Sequence, residues 1–194
     1  MDKCELSITW HSRAGQGAIT AANALAEIIG ELRGFNVQAF PDFGAEKRGA
    51  PVVVFNRLSS EPIHNVSHVK TPNVILLLDT SIISGGEKTY DDILDNLEHD
   101  GKLIMNTTQA ATKFDDLCKG EIWHVDASGI AIAEIGKHVP NVPMLGAFIK
   151  ATEIAGQEEF AASLGKWLLK SLPKPVVDAN IKAFNLGFEA AQKK

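Results

Sequence analysis

The sequence predicts an α/β domain of three layers, with a mainly parallel sheet covered by helices on both faces. Three observations predict it. Strand-like and helix-like periods alternate along the chain, several strand-like segments are apolar throughout, and three of them end in a small polar cluster. A strand that reads as a continuous apolar run is buried on both faces, which calls for helices above and below it.

Leu6 to Trp10 alternates apolar and polar residues as a strand does, and Arg13-Ala14-Gly15-Gln16-Gly17 then breaks the pattern. Ile19, Ala22, Leu25, Ile29 and Leu32 recur at helical spacing, so the opening unit is strand, glycine turn, helix. Val37 to Phe40 and Val52 to Phe55 fit two further strands, with the loop Pro41 to Pro51 between them. Val74 to Leu78 is an unbroken apolar run ending in Asp79-Thr80-Ser81. Lys102 to Met105, ending at Asn106-Thr107, and Ile122 to Val125, ending at Asp126-Ala127-Ser128, repeat the scheme. Helices are expected at Tyr90 to Glu98, Ser128 to Lys137, Met144 to Ile154 and Glu158 to Leu169, where Phe160, Leu164, Trp167 and Leu168 share a face. A last helix starts around Pro175, a residue suited to a first turn, and lines up Val177, Ile181, Phe184 and Phe188.

The 194 residues, 45% apolar and 22% charged, have the composition of one globular domain spanning 1–194. The net charge of -5, from 24 acidic and 19 basic side chains, carries no cationic excess, so nucleic acid and anionic membranes are not expected partners. The two cysteines, Cys4 and Cys118, form no CxxC and read as free thiols of a reducing cytosol. No signal-like segment opens the chain and no apolar run approaches about 18 residues. A cytoplasmic protein is the expectation.

The turn from His11 to Gly17 has the small residues that let backbone approach a ligand, and the amides of a helix start can face an anion. It is not the GxGxxG dinucleotide fingerprint, and no acidic residue ends the second strand, where Ala39-Phe40 stand. The same turn also reads as a tight bend that needs glycine for positive φ. In the next loop Lys47 and Arg48 can hold phosphate or carboxylate, Arg by a fork and Lys as a point charge. They can equally be solvated partners of Glu46. Phe40 and Phe43 suit an interface better than a wet loop. Asp79, Asn106 and Asp126 can line a pocket at the carboxyl edge of the sheet or simply cap helices. Of the six histidines, His64 and His68 are spaced i,i+4, but Pro62 and Asn65 argue against a helix there and favour solvated surface. His11 adjoins the glycine turn and reads as a structural residue.

Trp10-His11-Ser12-Arg13-Ala14-Gly15-Gln16-Gly17-Ala18, then Val37-Gln38-Ala39-Phe40-Pro41, Gly44-Ala45-Glu46-Lys47-Arg48-Gly49-Ala50-Pro51 and Asn141-Val142-Pro143-Met144-Leu145-Gly146-Ala147 follow one another in a familiar order. Together they resemble the gamma subunit of pyruvate and related 2-oxoacid:ferredoxin oxidoreductases, over most of the chain. Ser12 departs from the glycine usual at that position. The resemblance implies a Rossmann-like fold and a share in oxidative decarboxylation of a 2-oxoacid to acyl-CoA with reduction of ferredoxin. It implies that thiamine pyrophosphate, Mg²⁺ and the iron–sulfur clusters sit on separate alpha, beta and delta subunits, with no cofactor bound by this chain alone. Coenzyme A is the co-substrate whose approach the gamma subunit lines. Carried over, Arg13, Gly15, Gln16 and Gly17 form the binding loop, Lys47 and Arg48 join it beside Glu46, and no residue is directly catalytic. Partner subunits and copies of this chain are the expected contacts. The equivalent subunit of an indolepyruvate- or 2-oxoglutarate-type enzyme, and a stand-alone nucleotide-binding module, are the alternatives.

Overall fold

The computed structural model describes residues 6–43, 50–84, 90–94, 96–109 and 120–194. Strands β1 (Leu6–Arg13), β2 (Asn36–Phe43), β3 (Pro51–Ser59), β4 (Val74–Leu77), β5 (Lys102–Asn106), β6 (Glu121–Val125) and β7 (Gln192–Lys193) form one sheet in the order β2-β3-β1-β4-β5-β6-β7. The helices are α1 (Ala18–Arg33), α2 (Ser81–Ser84), α3 (Tyr90–Leu94), α4 (Ala127–Ile135), α5 (Asn141–Thr152), α6 (Gln157–Leu169) and α7 (Lys174–Ala190).

β1, β4, β5 and β6 pair in parallel, whereas β3 runs antiparallel to both β1 and β2. Thus β1, β2, β4, β5 and β6 point one way, and β3 and the edge strand β7 the other. The hairpin has a simple cause. A parallel crossover needs about a dozen residues or more, and the 44–50 connection between β2 and β3 is too short for one.

The two faces are covered unequally. On one, Ile8, Trp10, Val54, Leu58, Val74, Leu76 and Ile104 pack against the apolar stripes of α1, α5, α6 and α7. On the other, among the described residues, Ile75, Leu77, Leu103, Met105 and Ile122 meet Ile83, Ile93, Leu94 and Leu97, from short helical turns. The helix expected from Tyr90 to Glu98 is accordingly α3, closed after one turn, with Leu97 bonded back to Leu94. α5 is the spine of the thick layer: its residues from Asn141 to Ile149 are all buried. Gly146 of α5 and Gly187 of α7 face each other's helix. A Cβ at Gly146 would lie 2.2 Å from the Phe184 carbonyl oxygen, and one at Gly187 2.2 Å from that of Pro143.

One polar group joins four elements in this layer. Asn56, on β3 and fully buried, accepts from the Trp10 indole of β1 at 2.8 Å. Its amide donates to the Ala22 carbonyl of α1 at 3.0 Å and the Gln38 carbonyl of β2 at 3.2 Å. At the far edge Glu121 accepts from Lys102, Lys193 and Trp123, which ties β7 to β6. Lys102 foremost, then Lys193, hold its carboxyl down to about 2 from an ordinary 4.5.

Asn56→Ala should leave the buried Trp10 indole N–H without its acceptor, remove the ties to α1 and β2, and lower stability by about 3 kcal/mol. A fall in urea midpoint at unchanged m-value is the expected result; an unchanged midpoint would show that the node is dispensable.

Candidate functional site

The carboxyl ends of β1 and β4 lie side by side, since the two strands pair in parallel from Ile8 with Val74 to His11 with Leu77. From there the chain leaves in opposite directions. After β1 it enters α1 on the thick helical layer; after β4 it enters α2, whose Ile83 packs on the thin one. That divergence is a topological switch point, where an open α/β sheet forms its ligand crevice.

β1 runs on to Arg13, beyond the strand expected from the alternation. Ser12 therefore lies in extended backbone opposite Val52, buried, with its hydroxyl donating to the Val52 carbonyl at 3.4 Å. Glycine is not needed there. It is needed at Gly15 (φ +98) and Gly17 (φ +80), both in the left-handed region, and Gly17 is the N-cap of α1. Between them Gln16, 7% exposed, ties the turn to itself: its side-chain oxygen accepts from the Arg13 amide at 2.9 Å, and its own backbone amide donates to the Arg13 carbonyl at 3.1 Å.

Gln16 also reaches across to β4's exit, where its amide donates to Asp79 Oδ2 at 2.6 Å. Arg13 Nε stands 3.7 Å from the same oxygen and donates to the Ser81 hydroxyl at 2.9 Å, while the Ser81 amide donates to Asp79 Oδ1 at 2.8 Å. Burial opposes a charge on Asp79. The Ser81 hydroxyl and amide, the Gln16 amide and the Arg13 guanidinium outweigh it and hold the carboxyl below its ordinary 3.8. Asp79 is thus the residue that fixes the loop, a role the strand-end pattern alone did not separate from capping.

Arg13, Gly15, Gln16 and Gly17 are brought together. Lys47 and Arg48, with Glu46, lie outside the described residues. β3 separates β1 from β2, so the exits of those two strands are not adjacent. Ala50, the first described residue after Arg48, lies beside the turn, with its carbonyl accepting from the Ala14 amide at 3.0 Å. Phe40 packs inward on Phe55 at 5.3 Å and under the Arg57 guanidinium, which accounts for its partial burial without an interface.

Along the same edge a cleft of about 260 Å³ is lined by Thr80, Asn106, Thr107, Gln109, Asp126 and His138. Two of its polar groups are engaged within the fold. Asn106 donates to the Leu78 carbonyl and the Ser128 hydroxyl, and Asp126 caps α4 by accepting from Gly129 at 2.8 Å. The capping reading holds for both. His11 is buried in β1 with its carbonyl accepting from Leu78; His68 is exposed and stacks on Phe55, and residues 61–70 form no helix. Among the described residues no three His, Cys, Asp or Glu side chains group as metal ligands, and none of the helices is long and apolar enough to cross a membrane.

Residues 7–190 match the family described as pyruvate ferredoxin/flavodoxin oxidoreductase. The chain belongs to this family. Pyruvate synthase subunit PorC of Thermotoga maritima is 40% identical over 187 residues, 94% of this chain and 92% of that one. The crystal structure of that organism's pyruvate oxidoreductase subunit PORC superposes with a TM-score of 0.83, covering 99% of each chain at 36% identity. The common gamma subunit of the pyruvate/ketoisovalerate oxidoreductases of Thermococcus kodakarensis is 35% identical over 183 residues, covering 93% and 96%. This chain is therefore a subunit of a 2-oxoacid:ferredoxin oxidoreductase and works within a multi-subunit enzyme.

The depressed Asp79 pKa has a definite sign. Its contribution is fully present above the ordinary 3.8 and is lost as pH falls through the lower folded value. Asp79→Asn should be less stable than the parent at pH 7, and the gap between their urea midpoints should close on acidification below that value. A gap that persists at low pH would mean that the charge is not what holds the loop.

Proposed function

We propose that the chain is the gamma-type subunit, a single domain over 1–194, of a cytoplasmic pyruvate:ferredoxin oxidoreductase, and that its glycine loop binds the phosphates of coenzyme A. The observation that carries the reading is the loop at the switch point. Two left-handed glycines and the uncapped start of α1 leave backbone amides free of side-chain competition, as an anion requires. Arg13, Gly15, Gln16 and Gly17 form it, and Lys47 and Arg48 supply the cationic side. Thiamine pyrophosphate, Mg²⁺ and the iron–sulfur clusters belong to alpha, beta and delta partners, and ferredoxin takes the electrons.

In this reading the subunit makes no bond itself. Its task is to hold the charged end of coenzyme A so that the thiol reaches chemistry on a partner subunit. Remote binding of that kind supplies orientation to the reacting end. A second reading concerns the acyl group. The Thermococcus relative is named as common to pyruvate and ketoisovalerate oxidoreductases, which supports a subunit that serves two substrate specificities and leaves the choice of 2-oxoacid to its partners.

Each charge-assisted phosphate contact is worth on the order of 1–3 kcal/mol. Replacing both cations, Lys47→Ala with Arg48→Ala, should therefore raise the KM for coenzyme A about tenfold or more in the assembled enzyme. The KM for the 2-oxoacid should barely move, and added salt should weaken coenzyme A binding by the parent. An intact complex with unchanged coenzyme A dependence would refute the placement. The purified chain by itself should be colourless and inactive with pyruvate, coenzyme A and a viologen dye. Co-expression of Phe43→Asp with the partners should impair assembly, or else the interface lies away from the β2 exit.

A further inference from the structure

Helices α1 and α5 begin at the same point. The side-chain amide of Asn141, the first residue of α5, donates to the carbonyl of Gly17, the N-cap of α1, at 3.1 Å. A Cβ on Gly17 would stand 2.5 Å from that same nitrogen, so the glycine serves the contact as well as the turn. Asn141 is 6% exposed, and its amide has left water to make this bond. The Gly17 carbonyl also accepts from the Ala21 amide at 3.0 Å, the first turn of α1. Neither helix has a side-chain cap of its own. The peptide from which α1 starts is therefore held by a group outside α1.

That group is on the least yielding element of the fold. α5 is buried from Asn141 to Ile149 and lies against α7 with backbone on backbone at Gly146 and Gly187. The residue type is informative too. Aspartate at a helix start is favoured by the helix dipole, yet a carboxylate here would face the Gly17 carbonyl and any anion bound at the loop. Asparagine donates instead.

We infer that Asn141 is a positioning residue for the glycine loop: by gripping the Gly17 carbonyl it sets the direction in which the first amides of α1 and the Gly15–Gly17 turn face an anionic ligand. The ligand part of this rests on the coenzyme A reading above. Amides that bind an anion act through orientation, and freeing the Gly17 peptide to rotate lowers affinity without touching the ligand.

The test uses the assembled enzyme with Asn141→Asp and Asn141→Ala. The Asp variant keeps the size of the side chain and suits a helix start, so it should assemble even where the Ala variant does not. The expected result is a KM for coenzyme A raised about tenfold in the Asp variant, with the KM for the 2-oxoacid unchanged. Hydrogen exchange of the Gln16 and Ala21 amides should quicken by a similar factor. Unaltered exchange at both amides would overturn the positioning role. So would a normal coenzyme A KM in Asn141→Asp alongside a raised one in the Lys47→Ala, Arg48→Ala double variant. Faster exchange with normal coenzyme A KM in all these variants would support the grip on the loop and remove the coenzyme A reading instead.

Discussion

The buried amide of Asn56 is the constraint from which the rest of the architecture follows. An uncompensated amide in an apolar layer costs roughly 1–3 kcal/mol, so the fold must bring it partners, and it brings them from three other elements. Apolar packing alone would let α1 slide over the sheet by a fraction of a turn. The bond to the Ala22 carbonyl removes that freedom and fixes how far along β1 the helix begins. Since α1 begins at the glycine loop, a residue one strand away from that loop sets its height above the sheet.

The loop itself is a closed electrostatic arrangement. Asp79 meets Gln16, Arg13 and Ser81 at once, so the guanidinium of Arg13 is oriented by a carboxylate before any ligand arrives. That arrangement gives a preorganised shape and a muted local field. An anion drawn here gains from fixed amides and must find further positive charge elsewhere, which in the proposed function Lys47 and Arg48 supply.

Most of the layer plan was legible because it rests on period. Apolar runs at Val74–Leu77 and Lys102–Asn106, and helical stripes such as Phe160, Leu164 and Leu168, depend on spacing alone. The β2–β3 hairpin was less legible, since the antiparallel direction follows from loop length and not from the residues of either strand. At the site, Gly15, Gln16 and Gly17 announced themselves by local chemistry. Asp79 and Asn141 did not, because their partners are far away in sequence and a lone Asp or Asn near a helix start looks like a cap. Trp167, placed on the same face by spacing, packs at the margin of the core as expected and also donates its indole N–H to Glu27, a contact that periodicity does not encode.

The facing glycines of α5 and α7 carry a consequence for how the chain can vary. At Gly146 the obstacle to a larger residue is the carbonyl of Phe184 and the amide of Phe188; at Gly187 it is the backbone of Pro143. When a side chain blocks a side chain, trimming one makes room for the other. Here no trimming is available, because the blocking atoms are the ones every residue shares. A second-site suppressor of Gly146→Ala cannot lie among the side chains of α7 that face it. It must act where the helices are joined, in the turns at 153–156 and 170–173, by letting one axis move away from the other.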